Sequence, residues 1–223
     1  MNKFYFLSAL IFLTGVTFAA CSAAGASAKA VPDPAFDAPL AKDKGEQTAV
    51  LAGGCFWGVE AVFENVKGVT DVKSGYSGGS PADAQYGKVG SGETGHAESV
   101  KITYDPSQVT YGQLLKVFFS VAHDPTELNR QGPDTGTQYR SAIFYANDEQ
   151  KRIAQGYVDQ LNRAKVFSEP VVTEVATLKT FTEAEAYHQD YLVRHPNEPY
   201  IVINDMPKVE NLRKHLPELS KKN

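Results

Sequence analysis

From residue 48 onward, apolar positions recur in two alternating periods. Residues 49–52 form a short apolar run that leads into two glycines, Gly53 and Gly54, which predicts a buried strand over 49–53 and a tight turn. Val59, Val62, Phe63 and Val66 then fall at three- and four-residue steps, so the spacing predicts a helix over 55–65. Residues 69–76 are extended and run into the turn 77–81. A loop rich in glycine follows, then a strand read from Ala97, Ser99, Val100, Ile102 and Tyr104, stopped by Asp105-Pro106. Thr110 can cap a helix over 110–121, with Leu114, Leu115, Val117, Phe118 and Val121 on its apolar face. The pattern continues with a polar loop (123–137), a strand (140–146), an amphipathic helix (148–164) and a strand (171–176). A helical turn is expected over 183–188, then a mostly irregular tail with a short helix near 209–215.

Strands alternating with helices in one domain predict an α/β fold. Its expected form is an α+β two-layer sandwich: a mixed sheet on a ferredoxin-like core, with long irregular loops and an irregular C-terminal tail. Several strands alternate, so the helices should cover one face better than the other. The loops 77–95 and 123–138 exceed ordinary connection lengths, which marks them as functional.

The N-terminus follows different rules. Asn2 and Lys3 precede an almost wholly apolar stretch from Phe4 to Ala20, somewhat short for a membrane span and followed by small residues. Residues 1–20 are therefore expected to be an export signal. Ala26-Ser27-Ala28 fits a cleavage site after Ala28. Phe18-Ala19-Ala20-Cys21 resembles a bacterial lipoprotein box, with Phe18 in place of the usual leucine. That reading, with Cys21 lipidated, is favoured because a cysteine there has no other evident use. The chain is expected in the bacterial periplasm or cell envelope, with a lipid tether through the N-terminus. Residues 21–47, rich in Ala, Pro, Asp and Lys, read as a flexible leader, and 48–223 as one domain. A formal net charge of −4 gives no basic footprint for nucleic acid.

The chain has two cysteines, Cys21 and Cys55, so the domain cannot close an internal disulfide. A thiol kept free in an exported protein is either well buried or useful. Cys55 sits at a turn-to-helix junction beside Phe56 and Trp57, where free N–H groups and the helix dipole favour a thiolate. It reads as an activated nucleophile beside a small hydrophobic pocket, against the ordinary alternative of an inert buried cysteine.

Gly54-Cys55-Phe56-Trp57-Gly58, Thr94-Gly95-His96-Ala97-Glu98 and Gly136-Thr137-Gln138-Tyr139-Arg140-Ser141, in this order, closely resemble the A-type peptide methionine sulfoxide reductases. Gly75-Tyr76, Tyr104-Asp105-Pro106 and His123-Asp124-Pro125-Thr126 extend the resemblance over most of the domain. It implies that Cys55 attacks the sulfoxide sulfur and Glu98 gives a proton to the departing oxygen. Tyr86 and Tyr139 would hydrogen-bond that oxygen, Asp134 would help fix the network, and Phe56 and Trp57 would receive the S-methyl group. The implied reaction repairs the S epimer of methionine sulfoxide in oxidised proteins and leaves Cys55 as a sulfenic acid. Residues 196–223 hold no second cysteine, so the expected enzyme has one cysteine and no bound cofactor. It would be regenerated by an external thiol, from a thioredoxin-like protein or a small molecule, and be monomeric.

The chemistry asks for such residues. A sulfoxide sulfur is a poor electrophile until its oxygen is protonated or strongly hydrogen-bonded, and a carboxyl held neutral can supply the proton. Alone, Glu98 and Asp134 are ordinary surface carboxylates, and most of the eleven tyrosines are packing residues. His96, His123, His188, His195 and His215 show no metal-ligand spacing, and His188 and His215 read as surface or core hydrogen-bonders. Rival readings are a cysteine hydrolase pairing Cys55 with His96 or His123, and an exported lipoprotein that binds a partner through its aromatic patch.

Overall fold

The computed structural model describes Met1 and residues 31–222; the expected export signal, Cys21 and the two cleavage points lie outside the described residues. In chain order the elements are β1 (Gln47–Gly53), α1 (Phe56–Glu64), β2 (Val69–Ser77), α2 (Tyr86–Val89), β3 (Ala97–Tyr104), α3 (Tyr111–Val117), β4 (Arg130–Gln131), β5 (Asp134–Thr135), β6 (Ser141–Tyr145), α4 (Asp148–Arg163), β7 (Glu174–Thr177), β8 (Phe181–Glu183), α5 (Tyr191–Arg194) and α6 (Met206–His215).

Six strands form one mixed sheet in the order β7-β6-β1-β3-β2-β8. The inner four, β6-β1-β3-β2, pair antiparallel and are linked as β-α-β-β-α-β, the ferredoxin-like arrangement. β7 joins one edge in parallel with β6, and β8 joins the other antiparallel to β2. Strand alternation explains the layering. Ala49, Leu51, Val100, Ile102 and Ile143 face a core shared with α1, α3 and α4, while Val50, Ala52, Ala97, Ala142 and Phe144 form a thin cluster on the other face. The helices thus lie mainly on one side.

The structure moves several expected boundaries. The helix expected at Cys55 starts at Phe56, with Cys55 as its N-cap. The helix expected over 110–121 is α3, with the Thr110–Gln113 capping box, followed by a wide π turn at Phe118–Ala122. β7 starts at Glu174 instead of 171, and the edge strand β8 occupies residues too few to show alternation. The loops 77–95 and 123–138 contain α2 and the β4-β5 hairpin.

The leader reading is corrected where it is described. Val31 is buried, Tyr157 Oη donates to the Pro32 carbonyl over 2.6 Å, and Ala35 N–H donates to Gln160. Asp37 accepts from Gly112 N–H at 2.9 Å and from the Thr110 hydroxyl, capping α3 from outside. Proline and alanine lower the entropy cost of such a strap, and composition alone does not reveal the acceptors that hold it.

Candidate active site

β1 delivers the chain to the site, and the turn after it needs glycine. Gly54 has φ +90°, and a Cβ there would lie 2.5 Å from Gln131 Cγ. Cys55 follows at φ −54°, ψ 125°, ahead of the first helical turn. It is 7% exposed and, among the described residues, forms no disulfide.

The expected thiolate preference at this position is corrected. Burial pushes the Cys55 thiol well above its ordinary range, and the carboxyls of Glu98 and Asp205 push the same way; the Trp57 backbone N–H and Lys208 oppose them and lose. Burial thus outweighs the helix N-terminus and keeps Cys55 a thiol.

Glu98 reaches Cys55 from β3. It is 2% exposed, and its Oε2 accepts the Phe56 backbone N–H at 3.1 Å, so it sits on the same first turn as the thiol. Burial raises its carboxyl to about 8; the Phe56 N–H lowers it, while Asp134 and Asp205 add to the rise. Glu98 is thus a neutral acid near pH 7. Its protonation also removes the negative charge that penalises a Cys55 thiolate.

Tyr86 and Tyr139 are half-buried, and each phenol is raised first by burial and further by Glu98 and Cys55, Tyr86 to about 12. Among the described residues neither hydroxyl has a protein partner. Two neutral donors therefore stay unspent beside the thiol and the acid. Asp134 lies at the end of the β4-β5 hairpin and accepts the Tyr200 hydroxyl; burial raises its carboxyl, while Tyr200 and Lys208 lower it. Phe56 is fully buried beneath Trp57, with its ring 5.0 Å from His188 and 5.8 Å from Tyr76. Trp57 stacks on Tyr191 at 3.8 Å and 7°, and meets Tyr200 edge-on at 6.0 Å.

All seven domain residues predicted for the site therefore converge. The sequence reading missed Tyr200, Tyr191, Asp205 and Lys208. Asp205 is fully buried, pairs with Lys208 at 3.1 Å, and lies where a Cβ on Gly58 would be 2.1 Å away. Only a glycine at 58 lets the tail close over α1 in this way. Residues 200–208 are so far along the chain that no local pattern ties them to Cys55; the aromatic Tyr200 in a tail called irregular was the one available signal.

His96 and His123 are committed elsewhere. His96 Nδ1 accepts the Gly79 N–H at 3.3 Å and its Nε2 meets the Ser80 carbonyl at 2.8 Å. His123 bonds the Phe118 carbonyl and Ser141 Oγ at 3.1 and 2.7 Å, and burial lowers its pKa to about 3. Neither pairs with Cys55, which removes the hydrolase dyad. No cluster of three or more His, Cys, Asp or Glu that could hold a metal occurs among the described residues. A groove of about 810 Å³ opens beside Cys55, lined by Asp134, Tyr200, Asn204, Lys208 and Arg130 among others.

Comparison with known proteins decides the family. The pattern described as "Peptide methionine sulfoxide reductase" matches residues 47–220. The chain belongs to this family. The peptide methionine sulfoxide reductase MsrA 2 of Mesorhizobium japonicum is 63% identical over 175 residues, covering 78% of this chain and 90% of that protein. MsrA 2 of Synechocystis is 54% identical, covering 83% and 87%. Among solved structures, methionine sulfoxide reductase A of Corynebacterium diphtheriae has a TM-score of 0.59 at 36% identity, covering 74% of this chain and 83% of that one. Reduced Mxr1 of Saccharomyces cerevisiae has a TM-score of 0.62 at 31% identity, with 70% and 92% covered. The family's members and this chain thus share the mixed α/β fold across the region that builds the site.

Proposed function

We propose that this protein is a peptide-methionine (S)-S-oxide reductase that repairs oxidised proteins, with Cys55 as nucleophile. The observation that carries this is the neutral carboxyl of Glu98 held on the first turn of α1 beside a buried thiol, with two unspent phenols facing both. The sulfoxide oxygen accepts hydrogen bonds from Tyr86 and Tyr139, and Glu98 passes its proton to that oxygen. Cys55 sulfur attacks the activated sulfur and its thiol proton returns to Glu98. Attack forms a transient S–S bond to the methionine sulfur; as the oxygen passes to the Cys55 sulfur, the S–O and S–S bonds to methionine break and methionine leaves: Cys–SH plus sulfoxide gives Cys–SOH plus thioether, with atoms and electrons balanced. Phe56 and Trp57 hold the methyl group, and Asp134, bonded to Tyr200, orients the network. The S epimer is selected because only that hand places sulfur, methyl and oxygen on the three fixed positions together.

Cys55 is the only cysteine from residue 22 to the C-terminus, so the sulfenic acid is reduced by two external thiols, giving water and a disulfide. A thioredoxin-like protein or a small thiol supplies them. The protein acts as a monomer exported to the periplasm or cell envelope and tethered through lipidated Cys21. A Cys21→Ser variant that still partitions with membranes overturns the tether, and a Cys21–Cys55 disulfide in oxidised protein overturns the one-cysteine cycle. The reaction itself is tested with separated S and R epimers of an N-blocked methionine sulfoxide plus dithiothreitol. Consumption of the S epimer alone, lost in Cys55→Ser, is expected; no turnover by reduced parent protein overturns the reading.

A further inference from the structure

Trp57 is the chain's single tryptophan, and its partly buried indole is the wall that the reductase reading gives to the methyl pocket. One face is covered by the Tyr191 ring, but stacking leaves an indole free to slide and turn in its own plane. One hydrogen bond opposes that freedom directly: Trp57 Nε1 donates to His188 Nδ1 at 3.2 Å. An indole N–H can only donate, so Nδ1 is the bare nitrogen and the proton of the neutral ring is on Nε2. That Nε2 is buried and has no partner. His188 is 1% exposed, packed against the rings of Phe56 at 5.0 Å, Tyr86 at 4.3 Å and Tyr187 at 4.1 Å. The imidazole leaves one of its own atoms unsatisfied while presenting the other to Trp57. Its orientation serves the indole, not its own hydrogen bonding.

The backbone under His188 is clamped from three sides. Glu60 on α1 accepts the Asp190 N–H at 3.0 Å, and Gln189 both accepts from and donates to the Ser74 backbone. Arg194 donates to the carbonyls of Ala186 and Tyr187 at 3.1 and 3.0 Å, and to that of Gln189. Asp190 takes a left-handed φ of 53° to make the turn. This segment therefore holds both parts of the tryptophan's seat, the His188 acceptor and the Tyr191 ring, in fixed relation to α1.

We propose that His188 is a positioning residue for sulfoxide recognition, acting through Trp57: its Nδ1 fixes the in-plane angle of the indole that borders the methyl pocket. The proposal rests on the reductase reading for its kinetic arm only. A misaligned wall lowers affinity for the methyl group and leaves the sulfur chemistry at Cys55 in place, so KM responds more than kcat.

The test uses the full chain and compares His188→Phe, which keeps a ring without the acceptor, with His188→Asn, whose Oδ1 takes the place of Nδ1. In His188→Phe, KM for the S sulfoxide should rise about tenfold, the scale of a poorly matched apolar pocket, while kcat changes less than about threefold. The emission of Trp57, read alone because it is the single tryptophan, should shift in His188→Phe and return toward the parent in His188→Asn. Thermal melts identify a variant that has lost its fold, and the His188→Asn comparison then carries the test. Unchanged Trp57 emission and KM in a folded His188→Phe protein, or no recovery in His188→Asn, overturns the proposal. If the parent turns over neither epimer, the reductase reading fails, while the emission comparison still reports on the bond.

Discussion

Glu98 and Glu60 are two buried carboxyls with almost the same electrostatic fate and different work. Each is 2% exposed or less, each accepts backbone N–H bonds, and burial raises each to about 8. Glu98 shares its helix turn with the Cys55 thiol and faces two free phenols. Glu60 faces Ser74 and Asp190, with Glu64 adding to its rise, and clamps the segment that carries His188 and Tyr191. A raised carboxyl is thus not evidence of catalysis by itself; what lies within reach of its proton decides.

The comparison breaks most sharply in activity. Glu98→Gln should lower turnover of the S sulfoxide by about 10²–10³, the scale of removing an acid or a charge-stabilising donor, and Glu60→Gln by less than about threefold. Equal losses in steady-state assays would erase the distinction. The pH profile sharpens it: parent turnover should fall as pH rises through about 8, where Glu98 loses its proton, and the profile of Glu60→Gln should keep that limb. The Glu98→Gln residual rate should be flat across it.

A smaller effect concerns Tyr200, whose hydroxyl supports Asp134. Tyr200→Phe should lower kcat by about tenfold, the worth of one hydrogen bond to a charged group, without changing the melting temperature by more than a few degrees.

In stability the two carboxyls should behave alike. Both keep a proton in the folded state that the unfolded chain loses near 4.5, so the unfolded state binds fewer protons between about 4.5 and 8. Stability from each is full below 4.5 and falls as pH rises to about 8, by up to ~1.4 kcal/mol per pH unit. Chemical denaturation at pH 5 and 8 should show this decline, reduced in both Glu60→Gln and Glu98→Gln. Asp37→Ala, remote from both acids, should cost about 1 kcal/mol through the lost cap on α3 and leave turnover unchanged.

Legibility in the sequence followed the range of the interaction. Gly53, Gly54 and Cys55 announce a strand, a turn and a nucleophile because backbone conformation is local, and the inner strands show through alternation. Glu98 and Tyr139 could be tied to Cys55 through motif resemblance, since nothing in their own neighbourhoods separates them from surface carboxylates and packing tyrosines. The state of Cys55 was misread because a dipole argument counts one local field, whereas burial and the carboxyls of Glu98 and Asp205 act through space.

By itself, then, the sequence determined the ferredoxin-like strand and helix order, the reactive cysteine and the family's motifs, all set by patterns within a few residues. Tertiary structure decided that Glu98 is a neutral acid, that Asp205 and Lys208 close over Gly58, that His188 seats Trp57, and that residues from Val31 strap the domain. Those outcomes depend on which groups lose water together and which distant partners then remain within hydrogen-bonding reach, and desolvation is a property of the packed chain.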